Sequence, residues 1–210
     1  SRSFSNRLNL KGRGGTTMSA RTFCAVATAT LFASGTQAQL DELLIIDLSV
    51  PNQITITATA GLSAVDASGS DTTGIYMENF YSAAGGALTT SSTGAGDLTN
   101  AENPSDGSPA LFRAGGGTDT GLNVWSFSSD TTVTFTAGSL AFVGSGTWAL
   151  DAPEYADMLA GNMTGNLYFP ADSNDDLPSA VLLGTWRVIP APGAATLFGL
   201  GLIGAARRRR

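Results

Sequence analysis

An acidic stretch near the C-terminal end of the chain has the residue types of a calcium ligand set. Asp172, Asn174 and Asp176 place side-chain oxygens on alternate residues. Oxygen ligands at this spacing occupy the first positions of the calcium-binding loops of EF-hand proteins, so the stretch is a candidate low-affinity calcium site. It lacks the central glycine and the bidentate glutamate of such a loop. A solvated turn explains the same composition and is the preferred interpretation, with calcium binding left open.

Four other carboxylates lie near aromatic residues. They are Glu78, Asp151, Glu154 and Asp157. Paired carboxylates can hydrolyse glycosides, but no convergent motif surrounds these four. On a very acidic chain, scattered carboxylates are the usual solvated surface. We therefore expect no enzyme activity and assign no catalytic or cofactor-binding residue.

The residue types that are missing exclude several kinds of chemistry. The sequence has no histidine, and its one cysteine, Cys24, lies in the N-terminal segment that we interpret below as an export signal. The rest of the chain therefore has no disulfide, no thiol nucleophile, no Ser-His-Asp triad and no ordinary zinc site.

Three tryptophans could form a platform on which a sugar stacks. Trp125, Trp148 and Trp186 each lie in a run that alternates like a strand. Because tryptophans in such runs usually pack in the core, core packing is the preferred interpretation over a sugar-binding surface.

The charges are distributed very unevenly along the chain. Of the 11 basic residues, all but Arg113 and Arg187 lie near the two termini, whereas all 17 acidic residues lie between Asp41 and Asp176. The middle of the chain therefore carries a net charge of about −15, which excludes nucleic-acid binding by phosphate neutralisation. Such a body repels anionic surfaces and attracts divalent cations.

Residues 18–38 have the pattern of a cleavable signal peptide. A short segment with one arginine, Met18 to Arg21, precedes an apolar run to about Ser34, and small residues occupy the −3 and −1 positions of a cleavage site between Ala38 and Gln39. This pattern implies the Sec translocon and signal peptidase as partners. Residues 1–17 are polar, basic and glycine-rich, and we interpret them as a translated leader or a disordered extension.

The opposite end has three features in a fixed order. Pro190, Ala191 and Pro192 come first, an apolar stretch rich in Gly and Ala runs to Ala206, and four arginines, residues 207–210, follow. Counted from Val188, the apolar stretch is just long enough to cross a bilayer as a helix. By the positive-inside rule the basic cluster, Arg207, Arg208, Arg209 and Arg210, stays in the cytoplasm and the body lies outside.

This order resembles the PEP-CTERM sorting signal, whose members look like substrates of exosortase, a membrane enzyme similar to cysteine proteases. The resemblance covers about the last two dozen residues, 188–210, and the motif here has Ala191 in place of Glu. It implies transient anchoring in the inner membrane, processing by exosortase, and a final location at the cell surface or outside the cell, in association with exopolysaccharide. The alternative is an ordinary tail anchor.

Residues 39–187 form one β-rich extracellular domain by prediction. Alternating runs predict strands that are separated by turns rich in Gly, Asn, Ser and Pro. These runs are 43–48, 54–59, 74–81, 122–127, 132–136, 140–150, 166–169 and 180–189. They favour an all-β, antiparallel, jelly-roll-like sandwich. One short helix is predicted after Asp151, with Pro153 and Glu154 in its first turn and Gly161 at its end, and residues 82–108 are predicted to form a long loop.

The sequence therefore predicts an exported, non-enzymatic surface or matrix protein that is associated with exopolysaccharide or biofilm. The alternative is a secreted carbohydrate-binding module or hydrolase on the same sandwich.

Overall fold

The computed structural model describes residues 39–86, 88, 95–103, 109–113, 118–125 and 132–189. Strands account for 44% of these residues and helices for 9%, which confirms the predicted all-β class. The signal segment and residues 190–210 lie outside the described ranges.

The described residues form strands of two to nine residues, one α-helix and one short 3₁₀ turn. The elements in chain order are β1 (Glu42–Asp47), β2 (Gln53–Ala58), β3 (Ala67–Ser70), β4 (Ile75–Met77), β5 (Ala95–Gly96), β6 (Thr99–Asn100), β7 (Ala110–Phe112), β8 (Leu122–Trp125), β9 (Thr132–Phe135), β10 (Phe142–Val143), β11 (Ser145–Ala149), α1 (Ala152–Leu159), β12 (Thr164–Phe169), the 3₁₀ turn (Asn174–Asp176) and β13 (Val181–Ile189).

Nine strands form one curled mixed sheet in the order β5-β11-β2-β1-β13-β12-β4-β8-β7. Its two central strands, β1 and β13, are parallel, with Leu44 opposite Trp186 and Ile46 opposite Val188. The other pairs in the sheet are antiparallel. The predicted antiparallel arrangement is therefore wrong at its centre, because the first and last strands of the domain lie side by side and run in the same direction.

Two short strand pairs, β3–β9 and β10–β6, lie outside the large sheet. The ring of Phe135 on β9 lies 5.3 Å from that of Phe142 on β10 and 5.1 Å from that of Phe169 on β12, measured between centroids. These edge-on ring contacts join both short pairs to the core of the large sheet.

The core follows from the alternation in the strand sequences. In β2, Ile54 and Ile56 are fully buried, whereas Thr57, on the opposite face of the strand, is exposed. This is the pattern of a strand with one buried face. Burying an isoleucine side chain contributes about 1.5–3 kcal/mol. Trp148 and Trp186 are also fully buried, so these two tryptophans pack in the core, as the sequence favoured.

Two predictions between residues 82 and 150 need correction. The run 140–150 is divided into β10 and β11 by Gly144, whose φ of 79° suits glycine and whose added Cβ would lie 2.3 Å from the carbonyl oxygen of Asp97. The loop predicted over 82–108 contains β5 and β6, each of two residues. Both are too short, and too poor in β-branched and aromatic residues, to give a strand pattern.

The final strand extends the described fold to Ile189. Val188 is buried and donates its backbone N–H to the carbonyl of Met163 at 2.7 Å. Val188 and Ile189, which the sequence division placed with the C-terminal segment, lie in this strand. Among the helices of the described ranges, none has the length and apolar character needed to cross a membrane.

The predicted helix is confirmed as α1, and its start is fixed by a capping box. The Asp151 side chain accepts from the backbone N–H of Glu154 at 2.9 Å, and the Glu154 side chain accepts from the backbone N–H of Asp151 at 3.0 Å. Two N–H groups at the helix start are thereby satisfied. These two carboxylates hold the local fold in place.

We expect Asp151→Ala to lower the free energy of unfolding by about 1 kcal/mol, because it removes the N-cap acceptor. Asp151→Asn is the matched control and should lose much less, since asparagine caps equally well. Urea unfolding of both variants measures the difference. An equal loss in both, or none in either, would contradict the capping role.

Candidate functional site

One basic residue lies in the interior at the edge of the large sheet. Arg113 follows β7 directly and is only 6% exposed. Its guanidinium lies over the ring of Tyr81, 3.6 Å from the ring centroid, which is a close cation–π contact. A buried charge is costly unless it is paired, so its partners define the site.

Two acceptors satisfy part of this guanidinium. Its Nη1 donates to the Oδ2 of Asp157 at 2.8 Å, and its Nη2 donates to the carbonyl of Ala83 at 3.0 Å. Asp157 is carried by α1 and its side chain is 56% exposed. The ion pair therefore runs from the interior to the surface, and the capping box that starts α1 positions it.

Residues 81–86 form the wall opposite α1. Gly85 and Gly86 both have φ of 87°, in the left-handed region that favours glycine. A Cβ on Gly86 would lie 3.0 Å from Arg113 Nη1 and 3.4 Å from Asp157 Oδ2, whereas a Cβ on Gly85 would meet nothing within 4 Å. Gly86 therefore leaves the space beside the ion pair open.

Residues 81–86, Arg113 and Asp157 together line a cavity of about 190 Å³, which we call the Arg113 pocket. Tyr81 and Arg113 form its buried side, and residues 82–84 and Gly86 form an exposed rim.

Two buried donors of this pocket are not used by the described residues. The Nε of Arg113 and the hydroxyl of Tyr81 are buried and have no hydrogen-bond partner within that part of the chain. Burial raises the pKa of the Tyr81 hydroxyl well above its usual value, although the Arg113 charge opposes this shift. The hydroxyl therefore stays protonated at physiological pH. An unsatisfied buried polar group costs about 1–3 kcal/mol, so two in one place mark a site rather than ordinary packing.

The chemistry that this arrangement offers is hydrogen bonding. A guanidinium has five N–H donors, and two of them are used by described acceptors. The exposed carboxylate of Asp157 supplies acceptor oxygens beside them. Donors and an acceptor at one open pocket suit a ligand that carries polar groups of both kinds.

The four carboxylates considered from the sequence are divided between separate roles. Asp151 and Glu154 cap α1, Asp157 pairs with Arg113, and Glu78 accepts from the Nδ2 of Asn166 at 3.0 Å. The structure thus brings only Asp157 to the rim of the pocket. The side chain of Trp125, the third candidate for sugar stacking, lies outside the described atoms.

The calcium candidates use their oxygens for local contacts. The Oδ2 of Asp176 accepts from the backbone N–H of Asp172 at 3.0 Å. The Oδ1 of Asn174 accepts from the Tyr76 hydroxyl at 2.6 Å, and its Nδ2 donates to the carbonyl of Thr118 at 3.2 Å. Over the described residues, no group of three acidic side chains converges as a metal site would require.

Sequence analysis did not single out the Arg113 pocket. A signal was available, because Arg113 and Arg187 are the only two basic residues between the termini. Arg187 forms a two-pronged pair with Glu42 on the surface, at 2.7 and 3.2 Å. Only the fold shows that Arg113 is buried against Tyr81, which lies on a distant part of the chain.

Several predicted residues lie outside the described part of the chain. They are the predicted sorting motif (Pro190, Ala191, Pro192), the basic cluster (Arg207–Arg210) and Ala38 of the predicted cleavage site, whereas Gln39 is described and exposed. No family model, curated protein or solved structure matches this chain.

We expect the stability of the domain to fall as pH rises through the titration of Asp172. Burial, together with the hydrogen bond with Asp176, raises the pKa of Asp172 above its ordinary value. The folded state therefore binds this proton more tightly than the unfolded state, so the contribution is complete below the unfolded pKa and is lost as pH rises through the folded pKa.

Asp172→Asn removes the titrating carboxyl group, and the side-chain amide of the asparagine can still donate a hydrogen bond to Asp176. The variant should melt at a higher temperature than the wild type at neutral pH, and the difference should shrink below about pH 4. Asp175→Asn removes the same charge three residues away and controls for general relief of repulsion. A wild-type melting temperature that rises relative to that of Asp172→Asn as pH is raised from about 4 to neutral would contradict the assignment.

Proposed function

We propose that this chain is an exported, non-enzymatic protein of the cell surface or extracellular matrix that an exosortase sorts through its C-terminal segment. One observation carries the proposal: Pro190-Ala191-Pro192, an uncharged apolar stretch and four terminal arginines follow one another in the order of a PEP-CTERM signal. The signal-peptide pattern of residues 18–38 supports the same route.

The composition of the tail supports temporary anchoring. Its Gly and Ala residues give little insertion energy per residue, so the segment is a poor permanent anchor. Four arginines are costly to move through the bilayer, which makes the segment an effective stop. The prolines at 190 and 192 disfavour a helix in front of the span and leave backbone accessible to a membrane protease.

The position of the last described strand is compatible with processing at the motif. The strand β13 extends to Ile189, and Pro190 has no N–H with which to extend a ladder. Proteolysis at residues 190–193 would therefore leave the described core intact.

In the proposed pathway the chain uses the Sec translocon and signal peptidase, is held briefly in the inner membrane and is then processed by exosortase. The body, with a net charge of about −15, does not bind nucleic acid through phosphates, and it associates with extracellular polysaccharide. We further propose that the curled sheet and the two short pairs over it form a jelly-roll-like β-sandwich.

A second candidate function is a carbohydrate-binding module. The observation that favours it is the Arg113 pocket, because an open cavity with a charged donor beside an exposed carboxylate can bind hydroxyl groups. The two functions are compatible in one matrix protein.

We expect the surface form of the protein to end between Pro190 and Gly193 in a host that has exosortase. Deleting exosortase should leave a membrane-held form with the four arginines, and replacing Arg207–Arg210 with serines should weaken retention and processing. Mass spectrometry of C-terminal peptides from the surface fraction, in both strains, measures this.

The N-terminal peptide in the same samples is the internal control. It should begin at Gln39 in both strains, because signal peptidase acts independently of exosortase. An intact Arg210 terminus in both strains would show that the segment is an ordinary tail anchor and would overturn the sorting proposal.

A further inference from the structure

We infer that the Arg113 pocket binds a single neutral sugar ring through two adjacent hydroxyl groups. The inference deepens the polysaccharide association in the proposed function and rests on that function for the source of the ligand. The binding itself is a property of the purified body and is tested separately from sorting.

The donor side of the pocket is preorganised. Arg113 lies over the ring of Tyr81 and is fixed by Ala83 and Asp157, so binding a ligand costs it little further loss of side-chain freedom. Arginine is suited to planar, two-point recognition because its donors form a rigid fork. A hydroxyl oxygen of the ligand would accept from this fork.

The acceptor side is the exposed carboxylate of Asp157. A hydroxyl group both donates and accepts, so neighbouring hydroxyls can accept from Arg113 and donate to Asp157 at the same time. A simple anion can use only the guanidinium and is repelled by the carboxylate. The donor–acceptor pair therefore selects for hydroxyl groups over carboxylate or phosphate.

The surrounding charge favours a neutral ligand as well. Glu154 and Asp157 both act on the buried Tyr81 hydroxyl as nearby negative charges, and among the described residues that line the pocket Arg113 is the only positive charge. With a net charge of about −15 on residues 39–189, an anionic ligand meets a repulsive potential as it approaches.

The size of the pocket limits the ligand to one ring. Its volume of about 190 Å³ equals that of roughly six liquid waters. Sites for drug-sized ligands are larger, at about 300–1,000 Å³. One sugar ring at the end of a chain fits such a cavity, and the exposed rim at residues 82–84 leaves the rest of the chain in solvent.

Two glycines with positive φ provide a matched pair of variants. Gly86→Ala places a methyl group against Arg113 and Asp157, in the space that the sugar would occupy. Gly138→Ala imposes a similar strain, at a φ of 76°, but Gly138 lies outside the pocket lining and its methyl group meets no atom within 4 Å. Comparing the two separates occlusion of the pocket from backbone strain.

The experiment is an NMR titration of the ¹⁵N-labelled body, residues 39–189, with glucose, galactose, mannose and glucuronate at millimolar concentrations. The side-chain Nε–H signal of Arg113 and the amide signals of Gly85 and Gly86 report on the pocket directly. At least one neutral sugar should shift these signals with a millimolar Kd, and glucuronate, which differs from glucose by a carboxylate, should bind more weakly than glucose.

Gly86→Ala should weaken binding about tenfold or more, whereas Gly138→Ala should stay close to the wild type. Arg113→Lys keeps the charge for Asp157 but removes the fork, and it should weaken binding similarly. Amide signals of β1 and β13 verify that each variant is folded. If Gly86→Ala fails this check, the comparison of Arg113→Lys with the wild type decides.

No shift with any neutral sugar, or tighter binding of glucuronate than of glucose, would overturn the inference. Neither result bears on exosortase processing, which the C-terminal peptides report. Conversely, an unprocessed tail would leave a positive titration intact and would change only the source assigned to the ligand.

Discussion

The parallel pairing of β1 with β13 is the constraint on which the rest of the structure depends. These two strands occupy the centre of the nine-stranded sheet, and every other strand of that sheet is added outward from one of them. Leu44 opposite Trp186 and Ile46 opposite Val188 place large apolar side chains together along the pair. On the exposed face of this strand pair, Glu42 of β1 and Arg187 of β13 form an ion pair between residues 145 positions apart in the sequence.

Such a centre makes the fold strongly non-local. The two halves of the sheet, β5-β11-β2-β1 and β13-β12-β4-β8-β7, meet only when the last strand reaches the first. Bringing β1 and β13 together loses chain entropy before their contacts form, and this makes the topology slow to fold. In the proposed export pathway, the chain completes its core only after β13 has left the translocon. The predicted motif at Pro190 follows β13 directly in the sequence, so in that pathway it would leave the translocon just after the last strand of the core.

The sequence predicted the parts of this structure whose signals are local. Alternation in β2, the long apolar runs of β1 and β13, and a helix that begins after Asp151 were all evident from neighbouring residues. The parallel direction of the central pair was not, because it depends on the path of the whole chain. Strands β3, β5 and β6 were missed because Ala, Ser, Gly, Thr and Asn dominate them, and their pairing is set by the strands beside them. The strand β7 was missed as well, because its three residues are too few to show alternation.

The candidate site divides in the same way. The export and sorting patterns could be found from sequence because they are contiguous, whereas the Arg113 pocket brings together Tyr81, Arg113 and Asp157 from three separate regions. Its one sequence signal was the rarity of basic residues in the body. This signal applies equally to Arg113 and Arg187. Only burial distinguishes them, because Arg113 is buried whereas Arg187 forms an ion pair on the surface.

Native-state hydrogen exchange of the body tests this account most directly. If β1 and β13 are the centre on which the fold depends, their paired amides should exchange only through global unfolding and be the slowest in the domain, while amides in the edge strands β5 and β7 should exchange through smaller openings. Exchange from β13 at rates equal to or faster than those of the edge strands, under conditions where β2 and β11 remain protected, would contradict it.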